Sequence, residues 1–252
     1  MNILLTGSDG FIGQNLHTHL KKLNHNVIQL DIKSGNDLMD CPLNYHVELV
    51  IHLAGLSGVR DSMNNPTDYW KQNVIVSQRL FDFFKDTKIL YASSSTAYEP
   101  WRNPYAMSKY GIEQIAPENS LGMRFTTVYG PNAKPNMLIP KILKNDVQYI
   151  NTNHKRDFIH VNDVMDAIDI LMLNDVKGVI DIGTGHSHNL VDIIDYFKID
   201  CDKKLGGENE RLDNQADLNT LNSLGWKPKV NLYNYIKEMR NVNWSKFKRT
   251  LD

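Results

Sequence analysis

The chain has 252 residues, 28 Lys or Arg against 29 Asp or Glu, a formal net charge of −1 and 41% hydrophobic residues. A balanced charge gives no reason to expect nucleic-acid or membrane-surface binding, no apolar run approaches spanning length, and the length suits one large domain or a domain with a small second lobe. Cys41 and Cys201 do not look like a disulfide framework and the amino terminus reads as a strand, not a signal peptide, so the expected compartment is a reducing cytoplasm.

The first informative stretch runs from Ile3 to Gly13, Ile-Leu-Leu-Thr-Gly-Ser-Asp-Gly-Phe-Ile-Gly. A short apolar strand precedes Gly7, Gly10 and Gly13, and a helical pattern follows through Leu16, Leu20 and Leu23. Gly7 suits a tight turn out of the strand, and Gly10 lets backbone N–H groups approach a pyrophosphate at a helix N-terminus, where the dipole favours an anion. Gly13 lets helix and strand pack closely. A second strand, Asn26 to Leu30, ends in Asp31. A carboxylate there accepts from adenosine ribose hydroxyls and repels a 2′-phosphate, which points to NAD over NADP.

Strands and helices alternate to about residue 126, the pattern of a parallel sheet covered on both faces. Glu48 to Leu53 is a strand that runs into Ala54-Gly55, small residues that suit a backbone lying against a cofactor. His52 in that strand reads as a core histidine with its hydrogen bonds satisfied. Pro66 suits the start of a helix predicted over Thr67 to Phe84. The strand Lys88 to Ala92 leads into Ser93-Ser94-Ser95-Thr96, a hydroxyl cluster at the sheet's carboxyl edge.

Tyr105 and Lys109 stand four apart on the next predicted helix and share a face. A phenol of pKa about 10 is a poor base at neutral pH; a nearby ammonium, with a nicotinamide positive charge, is expected to favour the phenolate. Beyond residue 130 the pattern loosens, with helices near Asn136–Asn145, Val161–Leu173 and Asn189–Phe197 and strands at Gln148–Ile150 and Val179–Ile182. This predicts a smaller lobe against the sheet's carboxyl edge. His154, His160, His186 and His188 match no strong ligand spacing, and no metal is expected. Asn241 to Asp252 reads as a solvated terminal segment.

Taken together, these residues resemble the extended short-chain dehydrogenase/reductase family, and within it the nucleotide-sugar epimerases. The resemblance rests on Thr6-Gly7-x-x-Gly10-Phe11-Ile12-Gly13, His52-Leu53-Ala54-Gly55, the serine cluster and Tyr105-x-x-x-Lys109. It continues through Arg124-x-x-Thr127-Val128-Tyr129-Gly130-Pro131, Arg156-Asp157-Phe158-Ile159-His160-Val161, Ile182-Gly183-Thr184-Gly185 and Leu224-Gly225-Trp226-Lys227-Pro228. Gly58-Val59-Arg60-x-Ser62 with Asn65-Pro66 is most similar to UDP-glucuronate 4-epimerases, which, with UDP-glucose 4-epimerases, set the expected chemistry.

The resemblance implies a Rossmann-type α/β fold, a doubly wound parallel sheet with a small carboxyl-terminal substrate lobe. Residues 1–130 would form the NAD-binding domain, with later segments returning to it, and 131–252 mainly the substrate lobe. It implies that Gly7, Gly10, Phe11 and Ile12 hold the pyrophosphate, Asp31 the ribose, and Asp37 and Leu38 the adenine. Leu53, Ala54 and Gly55 would line the cofactor. Tyr105 would be the base, Lys109 would hold the nicotinamide ribose, and the family's hydroxyl position selects Ser94, with Ser93 and Ser95 still open. Thr127 and Arg156 would contact the nucleotide diphosphate, with Arg60 and Arg211 as further substrate candidates. The implied reaction is NAD-dependent epimerisation of a nucleotide-diphosphate sugar, a UDP-sugar at C4, through a 4-keto intermediate.

Three segments are short for the family: Ser94 to Tyr105, Lys109 to Arg124, and Pro131 to Arg156. Pro117, Asn119 and Gly122 interrupt the second, which normally carries half of a helix-pair dimer interface, so a monomer or a non-standard oligomer is expected. Ser95 and Thr96 stand where a 4,6-dehydratase needs an acid/base pair, and a UDP-glucuronate decarboxylase also expects a nearby Glu. Asp31 disfavours an NADPH-dependent reductase. A non-catalytic NAD-binding regulator is the alternative from another class, although such a sensor needs no phenolate.

Overall fold

In a computed structural model the backbone is described over residues 1–249 and side chains over residues 1–242. β1 (Asn2–Thr6) carries four successive buried residues because both of its faces are covered. It leads through the glycine turn into α1 (Phe11–Lys22), then β2 (Asn26–Leu30) and β3 (Leu49–His52). α2 (Val59–Asn64) and α3 (Pro66–Trp70) follow, and α3 passes through a π-turn over Lys71–Ile75 into α4 (Val76–Phe83). β4 (Lys88–Ser94), α5 (Pro104–Ile115) and β5 (Ser120–Phe125) complete the regular alternation. Then come β6 (Thr127–Tyr129), α6 (Leu138–Lys144), β7 (Tyr149–Asn151), β8 (Lys155–His160), α7 (Val161–Leu173) and β9 (Gly178–Ile182). The chain closes with β10 (Ser187–Asn189), α8 (Leu190–Tyr196), β11 (Asp202–Lys204), α9 (Asn219–Ser223) and α10 (Leu232–Arg249).

The main sheet has six parallel strands in the order β2-β1-β3-β4-β5-β9. β2 and β3 flank β1 on opposite sides, and such a reversal opens a crevice at the carboxyl ends of the strands. One face packs on α1 and α7 through Leu16, Leu20, Val164, Ile168 and Leu171. The other packs on α4 and α5 through Val76, Leu80, Phe81 and Ile112. A third apolar cluster joins Ile139, Ile142, Ile193, Ile194, Leu232 and Ile236, and forms the centre of the smaller lobe. Two short sheets, β10-β8-β6 and β11-β7, accompany it.

α7 and β9 lie beyond residue 130 but belong to the main body: β9 pairs along β5, and α7 shares the α1 side of the core. The helix predicted over Thr67 to Phe84 starts at Pro66 and is interrupted by the π-turn that contains Asn73. α5 stops after three turns, ahead of Pro117. The terminal stretch from Asn241 continues α10 in its backbone to Arg249, and residues 250–252 lie outside the described residues. Cys41 and Cys201 are both free, and they pack beside different apolar clusters. No helix among the described residues is long and apolar enough to cross a membrane.

Candidate active site

The glycine turn is shaped by what it must avoid. A Cβ at Gly7, where φ is +69°, would lie 2.5 Å from Ala54 N, and one at Gly13 would lie 2.1 Å from Gly7 O. Both distances are closer than any side chain allows, so β1, β3 and α1 meet only because these positions are glycine. Gly10 is the N-cap of α1, and no side chain caps the helix there. This leaves the helix end, beside Phe11 and Ile12, suited to an anion. Asp31 is buried at the end of β2; its carboxylate accepts from Asp9 N and Lys33 N, both at 2.9 Å. Those bonds hold the glycine turn beside β2, and a carboxylate has lone pairs left for ribose hydroxyls.

Asp37 caps the next turn by accepting from Met39 N, and Leu38 is buried on the α4 side of the sheet. At the end of β3, Leu53 N donates to Thr6 O and Ala54 N to Thr6 Oγ1. Gly55 is held against Asn73: a Cβ there would lie 2.7 Å from Asn73 Oδ1 and 3.6 Å from Lys109 Nζ. The residues nominated for a dinucleotide therefore lie along the carboxyl edge of β1, β2 and β3, and the cradle fits such a group.

β4 carries the serines to the same edge. Ser93 Oγ donates to Glu113, and Ser95 Oγ accepts from Asn214 at 3.4 Å. Ser94 accepts from Thr96 N at 3.2 Å, and it is the serine whose hydroxyl favours the charged form of Tyr105. Asn103 caps α5 by accepting from Ala106 N at 2.8 Å, and Pro104 sits in the first turn, which sets where Tyr105 leaves the helix. Lys109, one turn on, is buried and donates to Ala92 O at 2.8 Å.

Burial pushes the Lys109 ammonium down to a pKa of about 8, and the Glu113 carboxylate opposes that shift. The sequence led us to expect a depressed phenol at Tyr105; the structure raises it, because burial outweighs the hydrogen bond with Ser94. Tyr105 is only half-buried by exposed area, yet the surrounding protein makes desolvation the larger effect. The ammonium is turned toward the Ala92 carbonyl.

Across the cleft, β8 and the segment 208–214 bring together three of the four substrate candidates. Arg156 donates from Nη2 to Glu210 Oε2 at 2.9 Å and from Nη1 to Arg211 O at 2.9 Å. Arg211 donates from Nη1 to Ser95 O at 2.6 Å and from Nε to Glu99 Oε1 at 3.3 Å. Asn214 accepts from Asp157 N at 2.7 Å and donates to Thr127 Oγ1 at 3.2 Å. Arg60 stands apart from this group: it is exposed on α2, with its guanidinium 5.3 Å from the Tyr149 ring centroid.

Asn73, Asn103, Asn214 and Glu113 organise the site, yet sequence reasoning gave none of them a role. Only Asn103 carried a local signal, an N-cap residue directly before proline. His52 is buried between Thr6 Oγ1 at 2.7 Å and Ser77 Oγ at 2.8 Å, as a satisfied core histidine should be. Among the described residues no group of three or more His, Cys, Asp or Glu side chains is arranged to hold a metal ion.

The sequence profile of the NAD dependent epimerase/dehydratase family matches residues 3–183. A Methanocaldococcus jannaschii protein, provisionally named a UDP-glucose 4-epimerase, is 32% identical, with 97% of this chain and 98% of the relative covered. Their alignment runs over 304 positions against a chain of 252 residues, so the relative carries segments that this chain lacks. A UDP-glucuronate 4-epimerase of Thermodesulfobacterium geofontis is 27% identical, covering 90% of this chain and 81% of the relative. The solved structure of MoeE5 in complex with UDP-glucose and NAD superposes with a TM-score of 0.86 at 25% identity and covers both chains in full. Its profile match and its 32% identity to a full-length relative make this chain a member of the NAD-dependent epimerase/dehydratase family of extended short-chain dehydrogenases/reductases, an enzyme whose cofactor is NAD.

Proposed function

We propose that the enzyme epimerises a nucleotide-diphosphate sugar, with a UDP-sugar inverted at C4. The observation that carries this reading is the convergence at the carboxyl end of β4 of the Ser94 hydroxyl with Tyr105, whose charged form that hydroxyl favours, and Lys109 one helical turn away on the same face. When bound, NAD supplies a hydride acceptor and, without leaving, the hydride donor for the return step. As the phenolate, which the positive charge of a bound nicotinamide would have to favour against the burial that raises its pKa, Tyr105 Oη would take the proton of the C4 hydroxyl as the carbon is oxidised and give it back on the return, while Ser94 hydrogen-bonds the same sugar oxygen. Lys109 orients the nicotinamide ribose. Gly7, Gly10, Phe11 and Ile12 cradle the pyrophosphate, Asp31 takes the adenosine ribose, and Asp37 and Leu38 flank the adenine. Leu53, Ala54 and Gly55 form the cofactor-facing wall. Thr127, Arg156 and Arg211 face the diphosphate, whereas Arg60, exposed against Tyr149, would need to turn to reach a substrate.

Dehydration is disfavoured by the two residues after Ser94. Ser95 is tied to Asn214 and Thr96 donates to Ser94 Oγ at 3.0 Å, so neither position offers a carboxyl acid/base group. The test is incubation of the NAD-loaded enzyme with a panel of UDP-sugars, followed by chromatographic separation. One C4 epimer pair should interconvert without net NADH formation; conversion of none would defeat the reading. Tyr105→Phe should lose roughly 10²- to 10⁴-fold in turnover while keeping NAD affinity.

A further inference from the structure

Both arginines that face the proposed diphosphate position are already engaged by carboxylates of this chain. Arg211 contacts Glu99 and Arg156 contacts Glu210. The second pair is the tighter, at 2.9 Å, and the Arg156 side chain is only 16% exposed. We infer that Glu210 occupies the seat of a substrate phosphate on Arg156, and that this loop carboxylate thereby sets the enzyme's affinity for nucleoside diphosphates. The inference rests on the proposed substrate class.

The geometry separates the seat from the occupant. Arg156 Nη1 is fixed by main-chain carbonyls, those of Lys155 at 2.8 Å and Arg211 at 2.9 Å, so the fork keeps its direction without Glu210. The loop is pinned on both sides of Glu210 as well. Arg102 donates to Glu208 O, Asn103 Nδ2 donates to Asn209 O at 2.8 Å, and Arg211 is anchored on Ser95 O. None of these anchors uses the Glu210 side chain. Its carboxylate, on a flexible stem, can leave Arg156 while the loop stays in place. Arg156 holds Glu210 by Nη2 alone, and that donor can serve a carboxylate or a phosphate oxygen with the same charge-assisted geometry, so the two compete directly. The Arg211 charge opposes the Arg156 charge nearby, and Glu210 offsets that repulsion until a more highly charged diphosphate replaces it.

The experiment is calorimetric titration of UDP into the NAD-loaded enzyme, wild type against Glu210→Gln and Glu210→Ala. Removing the competing charge should tighten UDP binding by about fivefold, the range expected when a partly exposed ion pair is lost from the unbound state. The gain should vanish in an Arg156→Met background, because the competition is for that guanidinium. If UDP binds the wild type but neither variant binds it more tightly, the inference is overturned and the substrate reading stands. If UDP binds no form, the substrate reading fails and the inference falls with it. The alanine variant covers the case in which the glutamine amide itself bonds to Arg156.

Discussion

His52 shows how one buried side chain couples the fold to pH. Burial first, and the Lys109 charge second, lower its pKa from 6.5 to about 3. The unfolded chain takes up a proton near pH 6.5 that the native protein refuses, so this contribution to stability is complete above pH 6.5 and is lost as pH falls toward 3. Urea unfolding at pH 7.5 and pH 5.5 should show a loss of about 1 kcal/mol from this residue. His52→Asn should flatten that part of the slope; an unchanged slope would contradict the assignment. The side chains most legible in the sequence were those whose type is forced locally. Gly7 and Gly13 are required by close backbone approach, and Tyr105 with Lys109 by helix spacing. Asn73 and Asn214 could not be read in the same way, because an asparagine becomes informative only through partners distant in sequence, such as Ser108 for Asn73 and Thr127 for Asn214.

At the scale of the element, α5 is the piece on which the chemistry depends. Asn103 caps it through Oδ1 and, through Nδ2, holds the loop at Asn209. Asn103→Ala should cost about 1 kcal/mol in chemical denaturation through the lost cap. Asn103→Asp keeps an acceptor for Ala106 N and loses the donor to the loop. It should retain stability while raising KM for the nucleotide sugar, a split that separates the two duties of the residue. The sequence placed Tyr105 and Lys109 on one face of this helix because their four-residue spacing acts locally. It did not foresee β6 and β10, which have three residues each, nor β8, which opens on the charged Lys155-Arg156-Asp157. Their pairing is set by partners elsewhere in the chain, not by alternation within the strand.

For the whole molecule, the short α5 bears on assembly. Trp70, Ile75 and Phe83 are exposed on the helix that runs from α3 into α4, and Met107 and Tyr110 on α5, the two helices that would meet a partner in the family's helix-pair dimer. Five such side chains are present, but α5 offers only two of them over three turns, and a specific interface needs roughly 1,000 Å² of buried surface, so the pair lacks most of its second helix. Light scattering at micromolar concentration should therefore give the mass of one chain, 28.9 kDa. Twice that mass, reduced to one chain by Trp70→Ala with Met107→Ala, would show that this face pairs after all.

The partner of β5 arrives late in the chain. Leu121 to Phe125 lie beside Gly178 to Ile182, with α6, β7, β8 and α7 encoded between them. During synthesis β5 leaves the ribosome with one side unpaired, an edge of free N–H and C=O groups beside Leu121, Met123 and Phe125. That edge stays open until residue 182 has emerged, and by then much of the smaller lobe has already been made. The nascent protein cannot finish one half and then begin the other. Its most aggregation-prone moment falls in mid-translation, while a nearly complete nucleotide-binding sheet waits for its last strand.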